Sequence, residues 1–281
     1  MFTSNPFAEL SASTSPEIMQ GYVIVMFILV VASTIIDVIH KRSAQYFFAN
    51  AKKAKAARMR EVGGGEKVGI AIQTIAEDVL TSAEFCNPQR RISHLFTMYG
   101  FILFVVTTIA LVFAYPTPAH PAPAIVTLLW HLGALMVCFG GYWFWFFIRV
   151  DVAAEGNPWY RIVRADMFIL SLLGTTTFGL LWSITQAQGS GTFNTVLLAL
   201  FIISSAVLFG GVLWSKFAHM FFKPAAAFQK RMINADGSRE NLPNLANRND
   251  PADRDRHSME LLKDAPLDMG LGIKREAPRH Y

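Results

Sequence analysis

Five apolar blocks, each near the ~20 residues a helix needs to cross a ~30 Å hydrocarbon core, constrain this chain more than any other feature. They cover about 21–40 (GYVIVMFILVVASTIIDVIH), 95–115, 124–148, 166–186 and 195–215. With 53% hydrophobic and only 16% charged residues, the chain carries more apolar surface than a water-soluble core absorbs. The predicted fold is an all-α membrane protein, a bundle of five transmembrane helices.

The net charge of +5 is sorted by side. The stretch after the first block carries Lys41, Arg42, Lys52, Lys53, Lys55, Arg58, Arg60, Lys67, Arg90 and Arg91, and the loop after the third carries Arg149, Arg161 and Arg164. The N-terminal stretch and the turns YPTPAHPAP and QAQGSGTFN have no Lys or Arg. By the positive-inside rule the N-terminus is predicted outside and the C-terminus cytoplasmic. The basic excess is thereby explained as topology, not as affinity for nucleic acid. Residues 1–20 also lack the basic start of a signal peptide, so the first span is expected to remain in the mature protein.

The predicted organisation is an external N-terminal segment (1–20), a first span (21–40), a cytoplasmic basic and amphipathic loop (41–93), a four-span core (94–220) and a polar cytoplasmic tail (221–281). Within the loop, AQYFFANAKKAKAARMR reads either as a helix along anionic headgroups or as an ordinary positive-inside segment. After a break at Gly64 and Gly65, VGIAIQTIAEDVLTSAEF has helical apolar spacing. The tail composition predicts a segment that orders only on a partner.

Chemistry, if any, falls to histidines. Cys86 and Cys138 form no CxxC pair, and no P-loop, GxSxG or HExxH sequence occurs. His40, His94 and His219 lie near the cytoplasmic ends of the first, second and fifth predicted spans, while His131 lies about seven residues in from the other end of the third. Haem iron takes two axial imidazoles at one depth on facing helices, a condition His94 and His219 meet. Each of these also reads as an interfacial histidine that binds nothing. His40, directly before Lys41 and Arg42, reads mainly as interfacial and more weakly as a ligand. For His131 a hydrogen bond inside the bundle is the first reading and iron ligation the second. Asp37 reads as reaching toward the headgroups or as a proton or quinone group. The run GYWFWFF (141–147) reads as an interfacial belt or a cofactor wall, and Gly174 to Gly179 as a packing face.

The segments HLFTMYGFILFVVTT from His94, WYRIVRADMFILSLLGTTTFG from Trp159 and LWSKFAHMFF from Leu213 resemble the cytochrome b membrane subunits of the nitrate reductase gamma type. The resemblance is most to the membrane subunit of the quinone-interacting oxidoreductase that serves adenylylsulfate reductase. Related subunits often carry an N-terminal iron-sulfur domain that is not seen here, which suggests the shorter membrane anchor found beside adenylylsulfate reductase in sulfur-oxidising bacteria. It covers about residues 90–225. It implies a multi-pass protein of the bacterial inner membrane that links a soluble cytoplasmic sulfur-metabolism oxidoreductase to quinone. It implies two haems b held by histidines of the second and fifth helices. His94 and His219 match one pair of ligand positions, but the other pair falls on Phe104 and Phe201, which cannot bind iron. The expectation is at most one haem b, with a haemless docking anchor and a small transporter as alternatives.

Overall fold

The computed structural model describes residues 2–40, 43–83, 85, 87–153, 155–189, 191–213, 219–240, 242 and 250–252. Every element among them is helical. Five helices have the length and hydropathy to cross a membrane: α2 (Pro16–His40), α5 (Pro88–Phe113), α6 (Ala124–Trp143, continued by a wider turn Phe144–Ile148), α8 (Met167–Ala187, entered through a tight turn Arg164–Asp166) and α9 (Gly191–Gly210). The multi-pass membrane architecture read from the five apolar blocks is therefore present.

Local chemistry sets the helix starts. Asn87 caps α5 by accepting from the amides of Gln89 and Arg90 at 2.9 and 3.2 Å, with Pro88 in the first helical position where no amide proton is needed. A short α1 (Pro6–Leu10) begins the same way, Asn5 accepting from Phe7 N at 3.0 Å.

Helices α5, α6, α8 and α9 form a four-helix unit in which sequence neighbours pack antiparallel. Between α5 and α6 the backbones nearly touch. A methyl group on Gly133 would lie 2.7 Å from Phe104 N, one on Gly140 2.6 Å from Ser93 O, and one on Gly100 2.8 Å from Gly133 O. Ser93 Oγ adds a 2.8 Å bond to Gly140 O. This is small-residue packing of the kind that replaces the hydrophobic effect inside a bilayer. The face singled out in the sequence, Gly174 to Gly179, also packs, less closely: methyls there would meet Ser204 at 3.1 Å and Phe201 at 3.3 Å. A ring contact between Phe101 and Phe209 at 6.3 Å joins α5 to α9.

Helix α2 lies outside this unit along α9 and α5. Tyr22 meets Ile202 O at 3.1 Å and Ser205 Oγ at 2.8 Å, and Gln20 Nε2 donates to Val112 O at 3.2 Å. Most of its other side chains, among them Phe27, Ile28, Ile35 and Ile36, are exposed, as suits contact with lipid.

At the end where α2 and α9 finish sits a smaller helical group. It contains α3 (Ser43–Ala57), α4 (Gly64–Gln73, continued by a wide turn Thr74–Leu80) and α10 (His219–Ala235). The two halves of the 41–93 loop are thus both helical, with the break at residues 58–63 and Gly64 already inside α4. Arg231 of α10 clamps the wide turn, Nε to Asp78 Oδ2 at 2.8 Å and Nη2 to Glu77 Oε2 at 2.7 Å. Tyr99 Oη and Arg91 Nε bind the Leu80 and Thr81 carbonyls, each at 2.7 Å, which fastens this group to α5. A four-residue α7 (Val150–Ala153) lies between α6 and α8.

Candidate functional site

His94 stands in the second turn of α5, half-buried, at the end of the bundle that carries the basic loops. Its Nδ1 lies 3.1 Å from Ser82 Oγ, and its ring lies 4.9 Å from that of Phe85. Ser82 is buried and holds φ +49, a left-handed backbone that non-glycine residues rarely adopt. The turn after α4 is thus bent so that its hydroxyl meets the imidazole. A hydrogen bond at one ring nitrogen fixes the rotation of a histidine, the usual means of orienting one that ligates a metal. The ammonium of Lys223 lies 5.0 Å from the Phe85 ring, so the second turn of α10 reaches this corner.

His219 opens α10 one turn before Lys223. Helix α9 ends at Gly210, so His219 belongs to the helix that follows the fifth span; its side chain lies outside the described residues, as does all of Cys86. His40 is exposed in the last turn of α2.

His131 is elsewhere. It is 2% exposed near the opposite end of the bundle, its Nδ1 2.7 Å from Thr127 O and its Nε2 2.9 Å from Ser183 Oγ. A carbonyl can only accept, so Nδ1 carries the proton, and Nε2 accepts from the serine hydroxyl. Both ring nitrogens are engaged. Phe2 and Trp130 meet the imidazole edge-on at 5.2 and 4.8 Å. The bundle hydrogen bond expected for this residue is present, and the arrangement leaves no lone pair for iron.

The two positions that the resemblance marks for a second haem are filled with protein. Phe104 lies 5.1 Å from Trp130, Phe201 stacks on Trp182 at 5.7 Å, and Phe7 of α1 lies edge-on to both tryptophans at 5.8 and 5.5 Å. These rings pack as one continuous core.

Two polar features were not legible in the sequence as such. Arg149 is buried: Nη1 meets Asp166 Oδ2 at 2.6 Å, Nη2 meets the carbonyls of Arg161 and Trp159 at 2.8 and 3.3 Å, and the guanidinium lies 4.0 Å over the Trp145 ring. The GYWFWFF run is accordingly divided, Trp145 turned inward beneath the arginine and Phe147 71% exposed. Asp37 is only 4% exposed, so it is covered where the sequence suggested a carboxylate reaching for headgroups.

Among the described residues no three His, Cys, Asp or Glu side chains converge as a metal site. A pair of axial histidines needs no such cluster. Compared with family models, curated proteins and solved structures, the chain finds no match in any of the three.

Proposed function

We propose that this protein is a membrane anchor and electron-transfer subunit, with its N-terminus outside and its basic end in the bacterial cytoplasm. It docks a soluble sulfur-metabolism oxidoreductase of the adenylylsulfate reductase kind and links it to membrane quinone. The observation that carries the reading is the corner where Ser82 and Phe85 hold His94, with Lys223 of α10 over the Phe85 ring. It lies at the end bearing the basic loops, where a soluble partner would bind.

In this reading His94 and His219 would hold a single haem b. A haem held there supplies one-electron transfer between the docked enzyme and quinone. Ser82 orients the first imidazole, and the Arg231 clamp on Glu77 and Asp78 keeps α10, which carries the second, against the same group of helices. A haemless anchor is the second reading. It is favoured by the aromatic core around Trp130 and Trp182, which occupies the other end of the bundle with packed side chains.

The test is a dithionite-reduced minus air-oxidised spectrum of the purified full chain, with haem quantified per chain. The expected result is a b-type signal near one haem per chain, lost in both His94→Ala and His219→Ala. A colourless protein from haem-replete cells overturns the cofactor assignment and leaves the docking anchor. Failure to co-purify with any soluble oxidoreductase subunit overturns the anchor as well.

A further inference from the structure

The helical group at the basic end forms an open cavity of about 400 Å³ between α3 and α10, within the size range of small-ligand sites. Its walls are two facing stripes at helical spacing. Helix α3 presents Phe47, Ala51, Ala54 and Lys55, and α10 presents Phe228, Gln229, Met232 and Ile233, with Arg58 and Asp236 just past the ends of the two helices. Small alanines on one helix opposite larger apolar side chains on the other leave a trench instead of an interlocked seam.

The far end of the trench is closed by backbone. The amides of Met59 and Arg60 both donate to Asp236 O, at 2.9 and 3.1 Å. The chain then turns at Gly237 with φ +77, where a side chain would be strained. The carboxylate of Asp236 accepts from Ser238 N at 2.8 Å.

The charges on the rim divide into two kinds. Arg58 is paired with Glu61, and Arg60 with Glu66. Lys55 and Lys67 also line the cavity, and neither has an ion pair among the described residues. An apolar trench with two uncommitted ammonium groups at its mouth is complementary to an anion that carries a hydrocarbon chain. Both walls are also tied to the bilayer: α3 follows the first span, and α10 follows the fifth.

We infer that this cavity is a binding site for an anionic phospholipid, the acyl chain lying between Ala51 and Met232 and the phosphate between Lys55 and Lys67. The inference rests on the chain spanning a membrane and is independent of any haem. It gives the α3 and α10 pair a ligand that is drawn from the membrane and seals the seam between them.

The full chain in an uncharged detergent is titrated with short-chain phosphatidylglycerol, with phosphatidylcholine of the same chain length, and with inorganic phosphate, and binding is read by native mass spectrometry. Wild type is expected to bind phosphatidylglycerol in preference to phosphatidylcholine. Lys55→Gln combined with Lys67→Gln is expected to weaken that binding about thirtyfold, the sum of two cations near a headgroup. Lys53→Gln, a change on α3 outside the cavity, is expected to bind as wild type does. Ala51→Phe keeps both lysines and fills the trench, so it is expected to abolish lipid binding.

Equal loss in Lys53→Gln would reduce the effect to general surface charge and overturn the site. Inorganic phosphate competing as well as the lipid would make it a soluble-anion site. Retained binding in Ala51→Phe, or no preference for phosphatidylglycerol in wild type, would equally refute it.

Discussion

Arg149 donates to Asp166 across 2.6 Å with both side chains withdrawn from solvent, and through the same guanidinium it gathers the carbonyls of Trp159 and Arg161. One side chain thereby fixes the loop between the third and fourth spans. Removing a single partner of a buried pair leaves the other charge uncompensated. Arg149→Met is therefore expected to destabilise the protein by about 3 kcal/mol. Arg149→Met with Asp166→Leu should recover much of that loss. Thermal unfolding of the two variants decides it: a double variant no better than the single one would show that the carbonyl contacts matter more than the charge pair.

The near-contact of α5 and α6 gives a contrast between glycines. Gly133→Ala and Gly140→Ala place a methyl against backbone, which cannot rotate away, and are expected to lose about 1–3 kcal/mol. Gly69→Ala, in α4 with open space around it, should be neutral or gain up to about 1 kcal/mol from helix propensity. Unfolding midpoints in one detergent provide the comparison, and a Gly133→Ala protein as stable as wild type would contradict the packing described.

His131 tests the division of labour among the histidines. With both its nitrogens spent on Thr127 and Ser183, His131→Ala should lower stability by about 1–3 kcal/mol through the stranded serine and carbonyl. Any difference spectrum should be unchanged. Disappearance of a haem signal in this variant would reverse the assignment of ligands.

The clamp on α10 predicts an acid-sensitive step. Hydrogen bonds from Gln73 and then Arg231 hold the Glu77 carboxyl below its ordinary value of 4.5. A carboxylate with a depressed folded pKa contributes stability that is present above the unfolded value and lost as pH falls through the folded one. The hydrogen-exchange protection factor across α10, corrected for the intrinsic rate at each pH, should therefore be high at neutral pH and fall below about pH 4.5. Arg231→Gln should exchange faster already at neutral pH and change less on acidification. Identical profiles for the two proteins would remove the clamp from the account.

What could be read from the chain beforehand follows from the range of the interactions involved. Spans are a one-body property, since twenty apolar residues in a row need lipid whatever their neighbours are, and all five were visible. Helix starts are nearly as local: Asn87 before Pro88 is enough. The end of the fifth span was harder to place because the apolar run continues past Gly210 toward His219, although the helix does not. Pairings across the fold are two-body facts. Nothing in the sequence says that Arg149 faces Asp166 and not water, or that Gly133 and not Gly179 meets a backbone amide. The left-handed Ser82 beneath His94 is likewise a product of where α4 and α5 are held.

The seat of Phe7 bears on the order in which the molecule is assembled. This ring precedes all five spans along the chain, yet it rests on Trp130 and Trp182, from the third and fourth. Its neighbour Asn5 donates to Tyr115 O at 2.7 Å, beyond the end of the second. The segment that precedes the first span can dock only once the third and fourth spans are in place, so its seating closes one end of the bundle late in folding.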